Sequence, residues 1–110
     1  MAWRGSDRVA EIKRTGRRVQ GGPWVMMVSP RPGGEGRLTA ALGRGAGPAV
    51  TRSRARRIAR HCYALWRARL AGMDVLLMAR GDLSQIARRK IRGDLLHLFQ
   101  RLGPAESTNG

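Results

Sequence analysis

The sequence predicts an α+β fold, a small, mostly antiparallel sheet packed with helices. Three observations predict it: apolar residues recur at helical spacing in three stretches, apolar runs of strand length lie between them, and glycines mark the joins. The 110 residues are 42% apolar with no long low-complexity run, which suits one modest core and excludes a multidomain enzyme. The order along the chain is helix, strands, helix, strand, helix.

From Ser6 to Gly16 the spacing of Val9, Ile12 and Lys13 predicts a short helix, capped by Ser6 or Asp7 and stopped by Gly16. Residues 16–47 hold nine glycines and two apolar runs, WVMMVS over 24–29 and RLTAAL over 37–42. In the second run Leu38, Ala40 and Leu42 alternate toward one face, as in a half-buried strand. PRPGGEG over 30–36 predicts a hairpin loop between the two, and Val19 marks a short edge strand before Gly21-Gly22. Two or three antiparallel strands are expected.

Nothing breaks a helix between Pro48 and Leu70; Gly47-Pro48 opens it and Gly72 closes it. At about 100° per residue, Ala55, Ile58, Cys62, Leu65 and Trp66 share a core-facing arc, while Arg52, Arg56, Arg60, Tyr63 and Arg67 share another. MDVLLMAR over 73–80 reads as a buried strand, and Asp82 or Ser84 as the cap of a last helix. Ala87, Ile91, Leu95, Leu98 and Leu102 form that helix's core stripe, despite a cost of about 1 kcal/mol for Gly93 relative to alanine. Gly103-Pro104 ends it. The expectation is one domain over residues 1–110, ordered over about 7–102, with 103–110 a flexible tail.

Lys plus Arg number 22 against 7 Asp plus Glu, a formal charge of +15. Self-repulsion of that size suits a polyanionic partner. Lys13 and Lys90 are the only lysines, and arginine binds phosphate bidentately and stacks on bases. The bias could equally reflect a GC-rich genome. A single cysteine, Cys62, excludes an internal disulfide and any multi-cysteine zinc site. No apolar run is long enough to span a membrane and MAWRGSDRVAEIKRTGRR carries no secretory apolar segment, so a cytoplasmic location is expected.

His61, His97, Cys62 and scattered carboxylates form no recognisable catalytic or metal-ligating set. His61 and Cys62 point about 100° apart on one helix, which makes them a poor base and nucleophile, and Cys62 reads as core. His97, among leucines, reads as a partly exposed structural histidine. GRGAGPAV over 43–50 precedes a helix but lacks the G-K-[ST] ending of a phosphate-binding loop. The strongest signal is TRSRARRIARHCYALWRAR over 51–69, with seven arginines and no acid. A solvated face explains most charge runs, but such a face ordinarily mixes signs through i,i+4 pairs. Arginines at one-turn spacing along a ridge match the phosphates of a nucleic acid backbone, structured RNA above all.

These residues resemble the protein component of bacterial ribonuclease P. That family carries a helix opening K-K-x-G-x-A-V-x-R-N-R-x-K-R-x-x-R, then a strand like D-V-V-x-x-A-R and a leucine-rich last helix. The matching runs are RGAGPAVTRSRARRIAR, DVLLMAR and IRGDLLHLFQRLG, within a likeness covering residues 7–102. Gly47, Ala49, Val50, Arg52, Arg54, Arg56, Arg57 and Arg60 fall on pattern positions, Arg56 where lysine is usual. Ser53 replaces the central Asn, Arg44 and Gly45 stand for the two lysines, and His61 replaces an acid. The first helix's F-x-x-V-F-x-x-G is similar to Val9, Ile12, Lys13 and Gly16, and Met27 stands where a strand tyrosine is usual. The aromatic lining is therefore gone, unless Trp3 or Trp24 replaces it.

The resemblance implies an αβββαβα order with a left-handed βαβ crossover, an exception to the right-handed rule. It further implies a subunit of the endoribonuclease that removes the 5′ leader from precursor tRNA, with hydrolysis carried by the RNA subunit and its Mg2+ ions. No protein motif for a metal is recognisable. The implied RNA-binding residues are Arg44, Arg52, Ser53, Arg54, Arg56, Arg57, Arg60, Tyr63 and Arg67, and the implied leader cleft is Val9, Lys13, Val25 and Met27. The partners would be the ribonuclease P RNA and precursor tRNA, with no membrane and no DNA. The alternatives are a general, ribosomal-type RNA-binding protein and a DNA-binding helix module, the latter weakened because the helix spends its apolar face on its own core.

Overall fold

The computed structural model describes residues 5–31, 36–70 and 72–108, with side chains over 8–31, 36–70 and 72–102. Helix α1 (Gly5–Thr15) leads into β1 (Arg17–Gly21), β2 (Trp24–Pro30) and β3 (Leu38–Ala40). A 3₁₀ turn (Arg44–Ala46), α2 (Ala49–Trp66), a second 3₁₀ turn (Arg67–Leu70), β4 (Met73–Ala79) and α3 (Arg88–Thr108) follow. The α+β class and the element order are as the sequence predicts. The Ser6 or Asp7 cap falls outside the described side chains.

The sheet order is β1-β2-β4-β3, with β2 antiparallel to β1 and β4, and β3 parallel to β4. The expected β2–β3 hairpin is therefore wrong: β4 inserts between them. Strands β2 and β4 are apolar on both faces and take the two central positions, whereas half-buried β3, three residues long, takes an edge. A parallel partner for β3 then requires the crossover through α2.

Helices cover both faces of the sheet. Trp24, Met26, Val28, Val75 and Leu77 point to the face packed by α2 and α3, where Ala55, Ile58, Cys62, Ile91, Leu95, Leu98, Phe99 and Leu102 complete the main core. The indole of Trp24 is fully buried and donates from Nε1 to the Ile91 carbonyl at 2.9 Å. On the opposite face Ile12 of α1 seals Met27 and Leu76, with Val9 and Met78 alongside.

Four further expectations need correction. Leu65 is 61% exposed rather than core, because it lies past the flank of the buried stripe Ala55, Ile58, Ala59 and Cys62. Neither Asp82 nor Ser84 caps α3: Asp82 Oδ1 accepts the Ser84 N–H at 2.8 Å, closing a local turn that delays the helix to Arg88. Ala87 accordingly lies before the helix, exposed, with its carbonyl accepting from Lys90 and Ile91. Finally, the backbone of α3 continues through Gly103 and Pro104 to Thr108, so it is helical where the sequence predicts a tail.

Candidate nucleic-acid interface

The start of α2 is held from several sides. Gly47 adopts φ +123°, a conformation that L side chains rarely take. The Leu83 N–H donates to the Ala46 carbonyl at 2.9 Å, which fixes the 3₁₀ turn against the loop after β4. Arg52 Nε donates to the Gly47 carbonyl at 3.2 Å and Arg56 Nη2 to the Leu42 carbonyl at 3.3 Å. Both arginines are half-buried, so they brace the helix entrance as well as charging it.

Burial of Thr51, Ala55, Ile58, Ala59 and Cys62 sets the rotation of α2 about its axis. Arg54, Arg57 and Arg60 are thereby exposed, with Ser53 between them and Arg44 exposed on the preceding turn. Arg54 lies on the opposite flank from the Arg52–Arg56–Arg60 ridge, on the side of His61. His61 is exposed and its Nδ1 lies 2.6 Å from Arg92 Nη1 on α3. Tyr63 is half-buried, its ring 6.3 Å from that of Phe99. Val50 is 66% exposed at the head of the same helix. The face thus carries guanidiniums at successive turns on a rigid support, suited to phosphates along an RNA backbone.

The carboxylates that the structure pairs lie elsewhere. Glu11 meets Arg8, Asp74 meets Arg8 and Arg31, and Asp94 meets Lys90. Hydrogen bonds from Ser84 hold the Asp82 carboxyl below the usual carboxylate range. Burial pushes the Cys62 thiol up, the opposite of what a nucleophilic cysteine needs. His97 is exposed.

The expected leader residues share the other face of the sheet. Val9 packs on the Ile12–Met27–Leu76 cluster, Lys13 is exposed one turn further along α1, and Val25 lies two residues from Met27 on the same side of β2. Val25 and Met27 are each only 7% exposed. Trp24 points to the opposite face, into the main core, and supplies no replacement ring. Trp3 lies outside the described residues. Sequence reasoning missed Arg37 and Leu38, which the parallel β3 brings beside Arg60, Tyr63, Ala64 and Arg67; no local pattern signals a neighbour made by a crossover.

The fold has close counterparts. The protein from Thermotoga maritima solved as "RNase P protein in complex with 1-(4-fluorophenyl)-2-thiourea" matches with a TM-score of 0.79 at 22% identity, over 92% of this chain and 99% of that one. The Staphylococcus aureus RNase P protein matches with a TM-score of 0.79 at 19% identity, over 91% and 92% of the two chains. Among curated protein sequences there is no significant match. The family model described as Ribonuclease P matches residues 4–103. With nearly the whole length matched, and with a buried α2 stripe that turns its arginines outward, the chain belongs to the ribonuclease P protein family.

Proposed function

We propose that the chain is the accessory protein subunit of ribonuclease P, assembling with a catalytic RNA and assisting removal of the 5′ leader from precursor tRNA. The observation that carries this reading is the rigidly seated basic face of α2 in a chain of this family. Arg54, Arg57 and Arg60 would neutralise phosphates of the RNA subunit, while Arg52 and Arg56 would do so from the braced entrance of the helix. The leader would run near Val9, Lys13, Val25, Met27 and Arg44. With Met27 in place of a ring and sealed by Ile12, cation contacts would contribute more there than base stacking.

Magnesium would belong to the RNA. No hydrolytic step is assigned to the protein's own side chains; among the described residues no group of three or more His, Cys, Asp or Glu side chains gathers in one place. No helix among the described residues is long and apolar enough to cross a membrane.

The test is cleavage of a 5′-labelled precursor tRNA by a bacterial ribonuclease P RNA at low magnesium, with and without the protein. Stimulated cleavage at the mature 5′ end is expected. RNA binding without stimulation, even with the cognate RNA, would favour a general RNA-binding protein instead.

A further inference from the structure

The contact between His61 and Arg92 joins α2 to α3 through two groups that can both be cations. A guanidinium only donates, so His61 Nδ1 is the acceptor across the 2.6 Å to Arg92 Nη1; the ring in this bond is neutral and its one proton sits on Nε2. Protonation of the ring turns Nδ1 into a second donor, and repulsion between two positive charges replaces the bond. Histidine is the side chain that changes charge between about pH 5 and pH 8.

The surroundings of the pair are cationic. On α2, Arg54 and Arg57 lie on the same exposed flank, two turns and one turn before His61, and the helix contains no acid. On α3, exposed Arg88 lies one turn before half-buried Arg92. The first acid of α3, Asp94, lies about 200° round the helix from Arg92 and is held by Lys90 at 3.0 Å. The 3₁₀ turns at the two ends of α2 add the cations Arg44, Arg67 and Arg69, and β3 adds no charge. Cys62, next to His61 in sequence, is buried in the core.

A phosphate between the two side chains removes that repulsion, because its oxygens accept from an imidazolium and a guanidinium together. The row Arg54, Arg57 and His61, spaced i, i+3 and i+7, leads an RNA backbone along α2 to that point. We propose that His61 and Arg92 hold one phosphate of the RNA subunit between α2 and α3, and that His61 takes up a proton from solvent when this contact forms. The proposal rests on the ribonucleoprotein reading above and adds to it a contact from α3 and a dependence of RNA affinity on pH. It needs neither side chain to be unoccupied in the free protein: the bond between them is what the proton and the phosphate exchange.

The test measures binding of a bacterial ribonuclease P RNA to the full chain at constant ionic strength, from about pH 8 down to about pH 5.5, across the range in which histidine titrates. His61→Gln gives Arg92 an oxygen acceptor in place of Nδ1 but cannot take up a proton. The parent and His61→Gln are expected to bind alike at the upper end, and the parent about five-fold or more tightly at the lower end. His97→Gln, which changes the other histidine, should keep the parent's response, and titration of the RNA itself is common to every chain. Calorimetry in two buffers of different ionisation heat should show greater proton uptake on binding by the parent than by His61→Gln. Arg92→Gln should weaken binding and reduce the slope of log affinity against log salt by about 0.7, and Arg92→Lys, which keeps the charge, should restore the slope. The same pH response in the parent and His61→Gln, or parental affinity in a folded Arg92→Gln, would overturn the proposal and leave the assembly reading standing. Failure of the parent protein to bind the RNA at any pH would overturn both.

Discussion

Arg8 Nε donates to Asp74 Oδ2 across 2.6 Å, tying the first helix to a central strand 66 positions away in sequence. Asp74 is 2% exposed and also receives Arg31 Nε at 3.1 Å and the Arg37 N–H at 3.0 Å. Arg8 reaches on to the Pro30 carbonyl and to Glu11. One buried carboxylate thus joins α1, the end of β2, the start of β3 and β4. The bond to Asp74 is the main reason that the Arg8 guanidinium holds its proton more tightly than usual.

Asp74→Ala removes one partner of the Arg8 guanidinium, which keeps Glu11 and the Pro30 carbonyl, and takes the acceptor from the Arg37 N–H, so the fold is expected to lose about 1–3 kcal/mol. Urea denaturation measures it. An unchanged midpoint would mean that water replaces the carboxylate without loss.

Arg54→Ala with Arg57→Ala removes two exposed cations that the proposed function assigns to phosphates. RNA affinity is expected to fall and the log–log salt slope to shrink by about 1.4, with the melting temperature unchanged. Arg52→Ala with Arg56→Ala should lower affinity and stability together, since those side chains also bond to the Gly47 and Leu42 carbonyls. Equal melting temperatures for the two pairs would refute the bracing role.

Gly47→Ala places a Cβ at φ +123°, 2.8 Å from Asp82 Oδ1 and 3.2 Å from Thr51 Cγ2. The expected loss is about 1–3 kcal/mol in thermal or chemical unfolding. A neutral result would show that the entrance of α2 relaxes freely.

Asp82 gives a pH signature. Its folded-state pKa is depressed from the ordinary 3.8 by the Ser84 hydrogen bonds, so its contribution to stability is present above that ordinary value and fades as pH falls through the depressed one. Thermal scans of the parent and Asp82→Ala should differ near neutrality and converge in acid. A gap that does not change with pH would count against the turn.

Much of the fold is legible in short-range pattern. WVMMVS and DVLLMA read as strands because their apolar runs have strand length, and α2 reads as two-faced because Ala55, Ile58 and Cys62 recur at helical spacing. The arginine run and the resemblance it carries were equally visible. Leu65 and Asp82 misled because a local rule was extended past its reach: Leu65 is apolar and near the arc but not under a neighbour, and Asp82 can cap a helix or close its own turn, and closes the turn.

What the sequence by itself determined is the set of elements, their order, most of the core stripes of α2 and α3 and the charge of α2, all of which follow from periodicities a few residues long. Only the tertiary structure decided that β4 lies between β2 and β3, that Asp74 collects Arg8, Arg31 and the Arg37 backbone, and that Arg37 and Leu38 face Tyr63 across a groove. The reason is physical. Strand order is chosen by which strands can bury both faces at once, a competition among distant segments that no single segment records.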